Sequence, residues 1–132
     1  MLANADFATL VPIKNMNRAI KFYTETLGGK LTMRAEGEMK NTWASLSIGK
    51  NDFWLVKPEK FEKRELAYVT FTVKNLKETV SGLKKTGVKF DPPEKMGPKD
   101  KIEGGVAHGE WGANAFFKDS EGNLLMLWQD SD

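Results

Sequence analysis

Few side chains in this sequence carry groups that could do chemistry. The single histidine, His108, sits in Gly105-Val106-Ala107-His108-Gly109-Glu110-Trp111-Gly112. An imidazole titrating near neutral pH suits a general acid or base. Glu110 would lie on the same face as His108 if the segment is extended, because side chains alternate along a strand. The same spacing also suits a surface or loop-packing histidine. Tyr68 could donate a proton or a hydrogen bond, or be an ordinary packed tyrosine. Trp111 could close a cavity or simply pack. The tryptophans offer flat rings for stacking, worth roughly 0.5–1.5 kcal/mol per aromatic contact beyond area burial. Cysteine is absent, which removes disulfides, thiolate metal sites and Cys nucleophiles. No residue can be assigned a catalytic role from these groups alone.

The elements that must position these groups begin with Phe116–Gln129, FFKDSEGNLLMLWQ. An aromatic run enters the turn Asp119-Ser120-Glu121-Gly122-Asn123 and an apolar run leaves it, the pattern of a β-hairpin. Alternation puts Leu124, Met126 and Trp128 on one face and Leu125, Leu127 and Gln129 on the other. Both faces are largely apolar, so the strand is expected to be buried on both sides.

An internal repeat organises the rest. Residues 7–15 read FATLVPIKN and residues 67–75 read AYVTFTVKN, a constant offset of 60. Both segments look like strands ending in Lys-Asn. Each is followed by a helical pattern: Met16, Ala19, Ile20, Tyr23 and Leu27 in the first copy, Leu76, Val80 and Leu83 in the second. Asn15 and Asn75 suit N-caps, and Gly28-Gly29 and Gly87 suit helix ends. Further strands are expected at Leu31–Ala35, Thr42–Ile48 and Phe53–Val56, and then at Phe90, Asn114–Lys118 and Leu124–Gln129. Each copy is thus a βαβββ module, residues 1–60 and 61–132, together expected to form one compact domain of α+β class. The charged stretch Lys57–Glu65 reads as a solvated linker. Asp91–Gly112 reads as a long loop with no secondary structure of its own, of the kind that is a functional lid or disordered.

Composition bounds the function. Twenty basic and eighteen acidic residues, interspersed along 132, give a net charge of +2, so no nucleic-acid partner is expected. No apolar run approaches the ~20 residues of a membrane span, and MLANADF lacks the regions of a signal peptide. A cytoplasmic protein with no membrane partner is therefore expected.

Two motifs carry a family resemblance. Asn15-Met16-Asn17-Arg18-Ala19-Ile20-Lys21-Phe22-Tyr23 with Leu27-Gly28 resembles the helix signature of the vicinal oxygen chelate family. Lys118-Asp119-Ser120-Glu121-Gly122-Asn123-Leu124 resembles its Asp-Pro-Asp-Gly-Asn turn. That family includes glyoxalase I, bleomycin-resistance proteins, fosfomycin-resistance enzymes and extradiol dioxygenases. The resemblance implies two curved mixed sheets around a cavity, with the helices outside. It also implies metal-ligand positions on the first and last strands of each module, here Ala8, Trp54, Tyr68 and Met126. A divalent ion needs nitrogen, carboxylate or thiolate ligands, and these four residues supply at most one phenol oxygen. No metal or other cofactor is expected, and glyoxalase, dioxygenase and fosfomycin-transferase chemistry is not expected either.

Strand parity separates a helix-covered face (Thr9, Val11, Ile13; Ala44, Leu46, Ile48; Phe53, Leu55; Val69, Phe71, Val73; Leu125, Leu127) from a mixed face. Mixed apolar and polar lining suits a ligand site. The expected ligand-binding residues are Leu10, Pro12, Trp43, Ser45, Trp54, Tyr68, Thr70, His108, Trp111, Met126 and Trp128. The expected function, after the bleomycin-resistance branch, is metal-free binding of a small, partly apolar or aromatic molecule by a homodimer. The alternatives are a metal-independent lyase or isomerase using Tyr68 or His108 as acid or base, and a role as an interaction subunit. No acidic cluster marks the inferred cavity, which disfavours a strongly cationic glycopeptide as the ligand.

Overall fold

The computed structural model describes residues 1–95 and 97–131. The chain forms two units, Met1–Lys63 and Arg64–Asp132. Each is a mixed sheet with a helix on one face, so the class is α+β.

The first unit contains β1 (Ala8–Pro12), α1 (Met16–Lys21), β2 (Lys30–Arg34), β3 (Trp43–Ile48) and β4 (Asn51–Val56). The strand order is β1-β4-β3-β2, with β1 parallel to β4 and the other pairs antiparallel. A parallel neighbour needs a crossover connection, and the chain between β1 and β4 supplies it. The helix starts where the sequence places its cap: Asn15 Oδ1 accepts a hydrogen bond from Arg18 N–H at 3.0 Å. α1 runs on into a widened π turn, Phe22–Thr26, and Gly28 ends it with φ of +80°. Met16, Ala19 and Tyr23 are buried, as are Val11, Ala44, Leu46, Phe53 and Leu55 on the sheet. The Tyr23 and Phe53 rings lie 5.8 Å apart. This is the face the strand alternation assigns to the helix.

The second unit contains β5 (Val69–Thr72), α2 (Leu76–Lys85), β6 (Phe90–Asp91), β7 (Lys101–Glu103), β8 (Val106–His108), β9 (Gly112–Lys118) and β10 (Leu124–Asp130). The order is β5-β10-β9-β8-β7, with β6 also paired to β9. Asn75 Oδ1 accepts from Glu78 N–H at 3.1 Å. A second acceptor, Gln129 Oε1, takes the Leu76 N–H at 2.7 Å. Leu76 and Val80 of α2 are buried, with Ala115, Phe117, Leu125 and Leu127 of the sheet. The β9–β10 turn closes on Asp119, whose Oδ1 accepts from the N–H groups of Glu121 and Asn123, each at 2.8 Å. Asn123 Nδ2–H donates to Asp119 Oδ2 at 2.9 Å. The Asp and Asn of the motif thus hold the hairpin by satisfying its own backbone.

Two expectations are corrected. The stretch Asp91–Gly112 is not structureless, because β7 and β8 form a short hairpin whose inner strand pairs with β9. β10 is not buried on both sides: Leu125 and Leu127 are buried, whereas Leu124, Met126 and Trp128 are half-buried. The helix covers only one face of the sheet. Lys57–Glu65 is mostly exposed, as a solvated linker should be. No helix among the described residues is long and apolar enough to cross a membrane.

Candidate functional site

The face of the first sheet away from α1 is left open. Across it, Leu10 stands beside Trp54, and Trp54 beside Ser45. In the next row Pro12 stands beside Val56, and Val56 beside Trp43. A register shift between Leu31 and Met33 brings an extra β2 residue to this edge, the signature of a β-bulge. There the Thr32 and Ser45 hydroxyls meet at 2.6 Å. The Trp43 and Trp54 rings pack edge to face, with centroids 6.1 Å apart and planes 70° apart. Leu10 remains 57% exposed and Trp54 40% exposed. Five of the expected ligand-binding residues, Leu10, Pro12, Trp43, Ser45 and Trp54, therefore share one face.

The corresponding face of the second unit carries Thr70, Met126 and Phe116 in one row, and Thr72, Trp128, Asn114 and Ala107 in the next. Thr70 Oγ1–H donates weakly to Met126 Sδ at 3.7 Å. Tyr68 lies just before β5, its N–H bonded to the Leu124 carbonyl at 2.9 Å. Its ring lies under the Arg64 guanidinium, 4.6 Å from the charge centre. His108 ends β8 in the row of Ala113 and Gln129, and it lines both the cleft on the helix side and the cleft that Trp111 and Trp128 line. Glu110 does not continue that strand, because residues 109–112 turn, with Gly109 N–H bonded to the Gly112 carbonyl at 2.9 Å. The spacing of His108 and Glu110 thus does not place them on one strand face. Trp111 rides the tip of this turn, 76% exposed.

A cleft of about 590 Å³ opens between residues 97–101 and the 109–112 turn, and reaches Asn114 and Trp128. Its walls are closely fitted. The Asp100 carboxylate packs against Gly109, where a Cβ would come within 2.5 Å of it. The Gly97 N–H donates to Asp100 Oδ2 at 3.1 Å. Gly112 lies against the indole of Trp128, and a Cβ there would be 2.5 Å from the ring. The indole N–H donates to Asp130 Oδ1 at 2.8 Å. Asn114 is buried, and its Nδ2–H donates to the Glu94 carbonyl at 3.0 Å. Sequence reasoning missed Asn114. The only available signal was its parity, the one polar residue of β9 due to stand opposite Trp128 in the hairpin. A larger cleft, about 840 Å³, lies on the helix side among Lys74, Lys77, Lys84 and Lys85. Those lysines are all exposed, and this side carries none of the aromatic side chains of the open face.

The four positions where the resemblance implies metal ligands hold a methyl, an indole, a phenol and a thioether (Ala8, Trp54, Tyr68 and Met126). That donor set does not fit a divalent ion such as zinc. Among the described residues, no group of three or more His, Cys, Asp or Glu side chains is placed to hold a metal ion.

Comparison with solved structures recovers the same architecture. An antibiotic-binding protein from Streptomyces sp. CB03234 is 21% identical, with a TM-score of 0.70 over 97% of this chain and 98% of that one. A glyoxalase family protein from Enterococcus faecalis is 19% identical, with a TM-score of 0.71 over 97% and 99%. A fosfomycin resistance protein from Listeria monocytogenes is 14% identical, with a TM-score of 0.73 over 97% and 92%. At these identities the likeness is one of fold. No curated protein matches the sequence significantly. A family model does match, over residues 7–127, nearly the full length. The chain belongs to the Glyoxalase/Bleomycin resistance protein/Dioxygenase superfamily.

Proposed function

We propose that this protein binds a small, partly apolar or aromatic molecule on its open sheet faces, without a metal at the ligand positions that the family resemblance implies. The observation that carries the reading is the residue content of those faces. Tryptophan, methionine and hydroxyl side chains occupy them, and no set of metal ligands does. A mostly apolar lining with a few polar groups is what small-molecule sites generally show. The antibiotic-binding protein of the same fold supports the choice of ligand class. The cleft beside Trp128 and the aromatic pair Trp43–Trp54 are the surfaces best suited to stacking. The alternative, a metal-independent lyase or isomerase, would use Tyr68 or His108. These two sit three strand spacings apart and about five residues apart along the strands, on the order of 20 Å, and on opposite sides of the sheet. One acid–base pair made of both is therefore disfavoured.

Native mass spectrometry of the freshly purified protein is the direct test. A co-purified organic molecule of a few hundred daltons, whose readdition raises the melting temperature, is the expected result. Binding to the native state alone stabilises by about 2.7 kcal/mol at a hundredfold excess over Kd. Turnover of such a molecule by the metal-free protein would favour the enzyme instead.

A further inference from the structure

Among the described residues, one buried side-chain atom has no hydrogen-bond partner: Oδ1 of Asn114. The side chain is only 2% exposed. Its orientation is not arbitrary, because the nitrogen must face the Glu94 carbonyl, 3.0 Å away, which leaves the oxygen as the free acceptor. Buried polar atoms are almost always satisfied, and an unsatisfied one in a native fold calls for an explanation. Asn114 lines the cleft that Trp128 also lines. The two residues stand directly opposite each other in the β9–β10 pairing. Cross-strand neighbours of this kind have Cβ atoms about 4.5–5.5 Å apart. The indole beside the acceptor is held in place by Asp130 and by its close fit to Gly112. A lone acceptor oxygen next to an immobilised flat ring is a recognition pattern, and one polar side chain in an apolar setting fixes ligand orientation.

We propose that this cleft takes a flat aromatic ligand bearing an N–H or O–H on its ring edge. The donor is held by Asn114 Oδ1 and the ring packs against Trp128. This rests on the small-molecule reading above and adds to it the donor that the ligand must carry. Loss of the acceptor therefore affects ligands with a donor and spares those without one.

The test uses two probes with the same rings, 2-naphthol and 2-methoxynaphthalene, titrated into the full-length protein by calorimetry and by ¹⁵N NMR. Both are expected to shift the Trp128 indole resonance. The naphthol should bind roughly 2- to 12-fold more tightly, the range of one net hydrogen bond, and it alone should shift the Asn114 side-chain amide. In Asn114→Leu the preference should vanish while 2-methoxynaphthalene still binds. The wild-type amide shift decides the matter without a variant if Asn114→Leu does not fold. Equal affinities in the wild type with Trp128 shifted would overturn the role of Asn114 and leave the binding function standing, with the oxygen satisfied by water. A naphthol preference that survives in Asn114→Leu would place the donor contact elsewhere and overturn it too. No binding of either probe, at any concentration they dissolve to, would overturn both readings.

Discussion

At the scale of single residues, the placement of Trp128 depends on what surrounds it. Gly112 leaves room for the ring, and Asp130 takes its N–H. Gly112→Ala puts a methyl where the indole and the Gln129 carbonyl already are. It is expected to cost about 1–3 kcal/mol, the usual range for overpacking. It should also displace the ring, read as a changed Trp128 fluorescence maximum in a variant that is still folded. Tyr68→Phe is the milder probe. The ring stays under Arg64 and only the hydroxyl goes. Binding of a polar ligand should weaken by about 0.5–1.5 kcal/mol, measured by calorimetry. A loss of turnover of roughly 10²–10⁴-fold would instead identify Tyr68 as an acid or base. Residue placement was legible from the sequence where a motif fixed the strand register. Leu10, Ser45, Trp54, Met126 and Trp128 fall on the face their parity assigns. His108 is off that face because the β8 register puts it in the row of Ala113 and Gln129, yet as the last residue of the strand it still reaches the cleft that Trp128 lines. Asn114 escaped notice because its partner, the Glu94 carbonyl, comes from twenty residues earlier in the chain, which no local pattern announces.

At the scale of elements, the two helices are begun in the same way. Asn15 and Asn75, 60 residues apart, each accept the N–H three residues on. Either Asn→Ala is expected to cost about 1 kcal/mol, within the 0.5–2 kcal/mol range of lost N-caps, by urea denaturation. α2 has the added acceptor on Gln129. Gln129→Leu leaves the half-buried Leu76 N–H without that partner, at roughly 1–3 kcal/mol. The caps were legible because asparagine preceding a 3.6-residue apolar stripe has few other meanings. The β7–β8 hairpin was not. Its strands are three residues each, too short for alternation to register, and they lie among glycines and prolines. The π turn after α1 was equally invisible, since Tyr23 and Leu27 keep apolar spacing whether the turn is α or widened.

At the scale of the whole chain, one expectation follows from the positions that the family resemblance implies and one from topology. Protein purified without chelator is expected to carry no stoichiometric divalent metal at Ala8, Trp54, Tyr68 and Met126. Elemental analysis finding about one zinc, nickel or iron per chain would refute this. Each sheet also ends on edge strands, β1 and β2 in one, β5 and β7 in the other, and exposed edges are a liability that proteins tend to cover. A homodimer is the expected remedy, in the C₂ symmetry commonest among closed assemblies. Sedimentation at micromolar concentration showing only monomer would reject it.

The edge-to-face pair Trp43–Trp54 has an optical consequence. Two indoles 6.1 Å apart and tilted by 70° are close enough for their electronic transitions to couple. The coupling splits one absorption into two circular-dichroism bands of opposite sign. Trp43→Phe and Trp54→Phe should each abolish the pair of bands while leaving the backbone signal, and Trp128→Phe should leave it unchanged. A molecule settling on the Leu10–Trp54–Ser45 row would alter this doublet, whereas one seated in the Asn114 cleft would quench Trp128. Each open face therefore carries its own reporter, and the spectrum distinguishes which of them a ligand has reached.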